Sequence, residues 1–247
     1  MFKRGVSNIE MILSFLLFIG FVFVALFFFT PGGGNNRLVD SSLNYAMTEI
    51  SQNASITLLT YSIKINAVSL QQAGIGSTGT VAIQFPPEVT IIPDNYNVYA
   101  ENYSGTALPV TRDSTDKSII YLKWEGNQFA VIRFSEDFTS GTTISPVALN
   151  TAYYSIASSS TRQVISEKRM LGLNQSYYLD YTNTKDNLNL PSQINFGFSL
   201  QYDDGTFINA QRNIPAGLNV YSTLTHRETT LQKTNALRYG DLSVQIW

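Results

Sequence analysis

Cysteine is absent from the 247 residues. Disulfides, thiolate metal sites and cysteine nucleophiles are therefore excluded. A domain of more than about 200 residues can still bury an adequate core without covalent staples. Histidine is nearly absent too. His226 is the single one, so a Cys–His pair and a zinc site of the usual composition are ruled out. It lies in a polar strand-like run beside Arg227 and Glu228 and reads as a surface residue. Charge is scarce, at 14% of residues with a net −2, and Lys and Arg do not cluster into a nucleic-acid footprint. No Gly-x-Ser-x-Gly elbow and no P-loop occurs.

An extreme apolar stretch dominates the N-terminal end. Residues 11–29 read MILSFLLFIGFVFVALFFF, without a charge and with Ser14 as the one polar side chain. As a helix the stretch is about 28 Å long, close to the hydrocarbon thickness of a bilayer. A cleavable secretory signal has a shorter apolar core and a small-residue cleavage site, whereas this run ends Phe-Phe-Phe-Thr-Pro. A single membrane span is expected. Lys3 and Arg4 precede it, and no Lys or Arg follows before Arg37. By the positive-inside tendency the N-terminus is cytoplasmic and the rest of the chain lies outside the cell.

Basic residues, then Gly5, then Val6-Ser7-Asn8-Ile9-Glu10, then the apolar run: this order resembles the class III signal peptide of type IV prepilins. The Phe and Thr-Leu that mark many bacterial pilins around these positions are missing, so the archaeal branch is the more similar. The resemblance implies that a prepilin-type peptidase cuts after Gly5, leaving residues 1–5 as a leader and Val6 as the mature N-terminus. It also implies that the helix over residues 6–29 stays on the protein and packs with other copies or other pilin-like subunits. Glu10 then sets the register of assembly by pairing with a Val6 ammonium. Such a partner makes chemical sense, because carrying a lone carboxylate to the bilayer centre costs about 2.5–3.5 kcal/mol. Glycine at position 5 also lets a protease approach the backbone closely.

Residues 30–36, Thr-Pro followed by three Gly and two Asn, read as a flexible tether. Apolar residues at helical spacing, from Leu38 and Val39 to Ile50, predict an amphipathic helix over 37–51 that packs on its own domain. From residue 52 the period becomes that of strands. Segments 55–68, 80–85, 96–100, 119–124 and 129–134 are separated by turn residues, with Pro86-Pro87 and Pro93 marking connections. A short helix is expected over 177–188. A hairpin is expected at Asp203-Asp204-Gly205-Thr206, and a last strand over 242–247 with Trp247 tucked in. The fold class expected is mainly β (α+β): a transmembrane helix, then a β-sandwich-like ectodomain with one or two short helices and a possible subdivision near 160.

Two acid pairs, Asp113/Asp116 and Asp203/Asp204, stand in turn-rich sequence and are explained by turn chemistry. No catalytic residue, metal site or cofactor is assigned, and an enzyme is not expected. Asn53, Asn102 and Asn174 each open an N-glycosylation acceptor triplet. The reading is a pilin-like structural subunit or filament-associated surface protein. Its partners are the membrane, the peptidase and its own kind, and nucleic acid is not among them. The alternatives are a singly anchored adhesin or ligand-binding protein, and an anchored hydrolase using dispersed carboxylates.

Overall fold

The computed structural model describes residues 8–29, 31–76, 79–86 and 92–247; side chains in the first two helices are described at 11–24 and from 38 onward. Lys3, Arg4, Gly5 and Val6 lie outside the described residues, as do Thr30 and Pro87. Glu10 lies on a described helical backbone, but its side chain is outside the described set.

Helix α1 (Asn8–Phe29) is followed by α2 (Pro31–Ala54), strand β1 (Ser55–Ile65) and the short α3 (Ala67–Gln72). Strands β2 (Thr80–Gln84), β3 (Asn97–Asn102), β4 (Ala107–Leu108), β5 (Val110–Arg112), β6 (Ile119–Lys123) and β7 (Phe129–Ser135) come next. A long connection leads to β8 (Tyr154–Ser166), α4 (Glu167–Leu179) and α5 (Tyr181–Asn187). The chain then forms β9 (Phe196–Tyr202), β10 (Phe207–Ala210), β11 (Tyr221–Thr230) and β12 (Leu237–Ile246).

The protein is mainly β. Nine strands form one sheet in the order β10-β9-β12-β11-β8-β1-β7-β3-β4, and β2-β6-β5 form a second. Pairing is antiparallel except where β11 runs parallel to β8, at Thr229 and Thr230 beside Ile165 and Ser166. Two large cores lie against the large sheet, beside a smaller cluster of Ile56, Leu58, Tyr99, Phe138 and Val164. In one, Ile63, Val98, Ile132 and Phe134 pack against Val81, Ile83, Ile120 and Leu122 of the small sheet. In the other, Leu43, Ala46, Met47, Ile50 and Ala54 of α2 join Met170, Leu173 and Tyr177 of α4 over Phe196, Phe198, Leu242 and Val244. Both helical sets recur at three- and four-residue steps, the period that lines up one helix face.

The coarser expectation, a mainly-β fold, is what the structure shows, and two sheets share a core at one end only. At the other end helices cover the sheet, because two amphipathic stripes compete for that face and bury it. The helix expected over 37–51 packs on its own domain but extends to Pro31–Ala54. That corrects the tether expected over 30–36, since residues 31–36 are helical. Proline is tolerated in a first turn, where its missing N–H needs no partner, and propagation from a packed helix outweighs about 1 kcal/mol per glycine. The segment 55–68 leaves the sheet at Ile65, where the Asn66 side chain accepts from Ser69 N and caps α3. The helix expected over 177–188 is two. Ser166 caps α4, and Asp180, with extended φ of −148°, ends it and caps α5. The 203–206 hairpin is present with Gly205 at φ +82°. The last strand begins earlier than expected, at Leu237. Tyr154 and Ile156 at the start of β8 pack against the two-sheet core, and Ile165 at its end belongs to the helix-covered one.

Among the described residues no helix is long and apolar enough to cross a membrane.

Candidate functional site

Helix α1 presents its described side chains outward all the way round. The large apolar residues from Met11 to Val24, apart from half-buried Val22, are 36–72% exposed. A helix apolar on every side has no face suited to water.

A polar concavity lies where α2 hands over to β1. Arg169, three residues past the α4 cap Ser166, reaches across it. Its Nη1 donates to the Ser55 carbonyl at 2.8 Å and its Nε to Asp137 Oδ2 at 3.0 Å, while Nη2 pairs with Glu136. Ser166 Oγ donates to the same Asp137 oxygen at 2.7 Å. Arg169 thus ties α4 to the first residue of β1 and to the loop after β7. Two cavities of about 580 Å³ each share Arg169 and Gln52 in their walls. One adds Asn53, Ser176 and Asn187; the other adds Thr57, Gln163 and Arg227. Amides, hydroxyls, guanidiniums and the Glu136 carboxylate, which is paired with Arg169, supply donors and acceptors there, and no aromatic side chain is among the lining residues.

The acid pairs are engaged in turns. Asp113 Oδ1 accepts from the backbone of Thr115 and Asp116, each at 2.7 Å, and its Oδ2 accepts from the Tyr121 hydroxyl at 2.6 Å. The hydroxyl contact first, then the amides, holds Asp113 below the ordinary carboxylate value. Asp116 is lowered by Ser118, whose hydroxyl and N–H both donate to it. Asp204 accepts from the Thr206 hydroxyl and N–H and pairs with Arg238, which brings its pKa down to about 2. Asp203 is exposed in the same hairpin. Among the described residues no group of three or more His, Asp or Glu is placed to hold a metal ion.

The three acceptor triplets differ. Asn53 is exposed at the end of α2. Asn102 is 9% exposed, and its Oδ1 accepts from Ser104 and from the Thr106 N–H inside the β3–β4 hairpin. Asn174 donates to the Asn209 carbonyl at 2.7 Å and links α4 to β10. His226 is exposed, as expected; it stacks on Tyr239 at 5.1 Å and meets Asp241 at 2.7 Å. Sequence reasoning did not find Arg169. The only local signal is its spacing from the capping serine, and the partners that give it meaning lie far along the chain.

No family model matches this chain, and no curated protein or solved structure matches it significantly.

Proposed function

We propose that the protein is a membrane-anchored, pilin-like surface subunit: α1 spans the bilayer, and the mainly-β domain is displayed outside the cell. The supporting observation is the all-round exposure of α1, whose apolar surface needs lipid or the helices of other copies to cover it. The span uses the whole uncharged run over 11–29, which is longer than the part with described side chains. The leader, Gly5, Val6 and Glu10 keep the roles that their resemblance to class III prepilins implies. Protein extracted from native membranes should begin at Val6 by mass. Gly5→Phe should leave the leader in place, and Glu10→Ala should leave processed protein in the membrane but reduce its entry into filaments. A native polypeptide that retains Lys3 and Arg4 would remove this reading.

The polar cleft favours a second reading, an anchored ligand-binding protein. Its hydroxyl, amide and guanidinium lining suits a hydrated polar ligand such as a saccharide. Titration of the detergent-solubilised chain against a glycan panel, with Gln52→Ala as the control, separates the two readings.

A further inference from the structure

The polar cleft marks the place where the large sheet splits. Ile165 of β8 and Thr229 of β11 pair side by side, and both are buried. Two residues earlier on each strand, Gln163 and Arg227 share that face by strand alternation and line the same cavity of about 580 Å³. There the strands have parted. Among the described residues no strand pairs with 154–164 of β8 or 221–228 of β11 along the split.

Backbone N–H and C=O groups therefore edge the split on both sides without ladder partners, and each needs a hydrogen bond. A hydroxyl donates and accepts at one oxygen, so a ligand rich in hydroxyls serves both kinds of group. A peptide strand fits less well. Pairing needs a spacing of about 4.8 Å, and diverging edges hold a straight strand along one side only.

Charge in the cleft is unevenly committed. Glu136 is taken by Arg169, which also donates to the Ser55 carbonyl and to Asp137. Gln163 donates to the Thr57 hydroxyl at 2.9 Å. Arginines 133, 162, 169 and 238 form ion pairs, and among the described residues Arg227 forms none. An exposed guanidinium with no acid beside it attracts an anion, and its planar fork matches a carboxylate through two parallel hydrogen bonds.

We infer that the cleft takes an acidic saccharide: a uronic acid unit whose carboxylate pairs with Arg227 while its hydroxyls meet the amides of Gln52 and Gln163 and the edges of the split. The inference rests on the ligand-binding reading of this cleft and names its class of ligand.

The test is calorimetric titration of the full chain, in an uncharged detergent, with an oligogalacturonate and with its methyl ester. The ester keeps the hydroxyls and removes the charge. The acid should bind roughly tenfold more tightly, the size of one charge-assisted contact. Arg227→Gln should abolish that preference and leave the weaker binding of the ester, whereas Arg227→Lys should keep part of it. Lys123→Gln, an equal loss of charge at the exposed end of β6, should leave the preference intact. Equal affinity for acid and ester, or an equal effect of Lys123→Gln, overturns the carboxylate contact. Penta-glutamate that binds and displaces the galacturonate assigns the split to a peptide and also overturns the proposal. Failure of both galacturonate forms, with a neutral glycan bound and lost in Gln52→Ala, overturns the acidic ligand alone. Failure of every glycan removes the ligand-binding reading, and the inference with it.

Discussion

Arg133 sits opposite Tyr99 on one neighbouring strand and Thr60 on the other, and pairs with Glu101 at 2.7 Å. The two side chains are only 10% and 16% exposed, and Arg133 Nε and Nη1 lack partners. Glu101→Ala strands a buried cation, so a loss of about 3 kcal/mol is expected. It should be read as a lower urea midpoint at unchanged slope. Replacing both partners, Arg133→Met with Glu101→Leu, should cost less, because no charge is then left in the sheet. Asp204 provides a pH handle. Its folded value, about 2, lies below the 3.8 of an unperturbed aspartate. Its stabilisation is therefore complete above the unfolded value and disappears as pH falls towards the folded one. Asp113 and Asp116 act in the same direction. The thermal midpoint of the wild type should fall between about pH 4 and pH 2, and that of Asp204→Asn should fall less over the same window. The turn chemistry of these acids was legible in the sequence because an Asx turn needs only residues two or three places away. The role of Arg133 was not, since strands 32 residues apart in sequence must first align.

The N-terminal half of α2 shows an element overriding its composition. Gly32, Gly33 and Gly34 are helical. Gly33→Ala should therefore add helix, with about 1 kcal/mol in its favour, and raise the far-ultraviolet helical signal. If residues 31–36 were a free tether, the same change would leave that signal alone. Strands β8 and β11 show the opposite situation, two elements that barely meet. They pair at two positions only, while residues 154–164 of β8 and 221–228 of β11 face no strand on their other edges among the described residues. The Arg162–Glu228 pair, 3.0 Å across this opening, and the serine run of β8 keep those edges polar. Unpaired edges recruit other chains unless charge blunts them. Arg162→Val with Glu228→Val should produce concentration-dependent association by light scattering.

At the scale of the molecule, the folded surface sorts the three acceptor triplets. Asn102 is enclosed in its hairpin and Asn174 is held by the Asn209 carbonyl, which leaves Asn53 exposed beside the polar cleft. In a glycosylating host one glycan mass is expected, and Asn53→Gln should remove it. A glycan there would overhang the Gln52–Arg169 walls, so ligand binding by the cleft and modification at Asn53 should compete. Exposure separates the three sites, and exposure is a property of the assembled domain; in the sequence all three look alike.

Features that near neighbours decide were legible in the sequence. These features are the apolar N-terminal helix, the helical period that becomes the buried stripe of α2, and the Asp-Gly hairpin with its left-handed glycine. Each rests on sterics or periodicity within a few residues. That a second sheet covers one end of the large sheet and helices cover the other follows from packing between distant segments. Only there does Arg169 meet the carbonyl of Ser55, 114 residues away. Strand order and long-range polar ties depend on which apolar faces find each other when the chain collapses, and no local pattern encodes that choice.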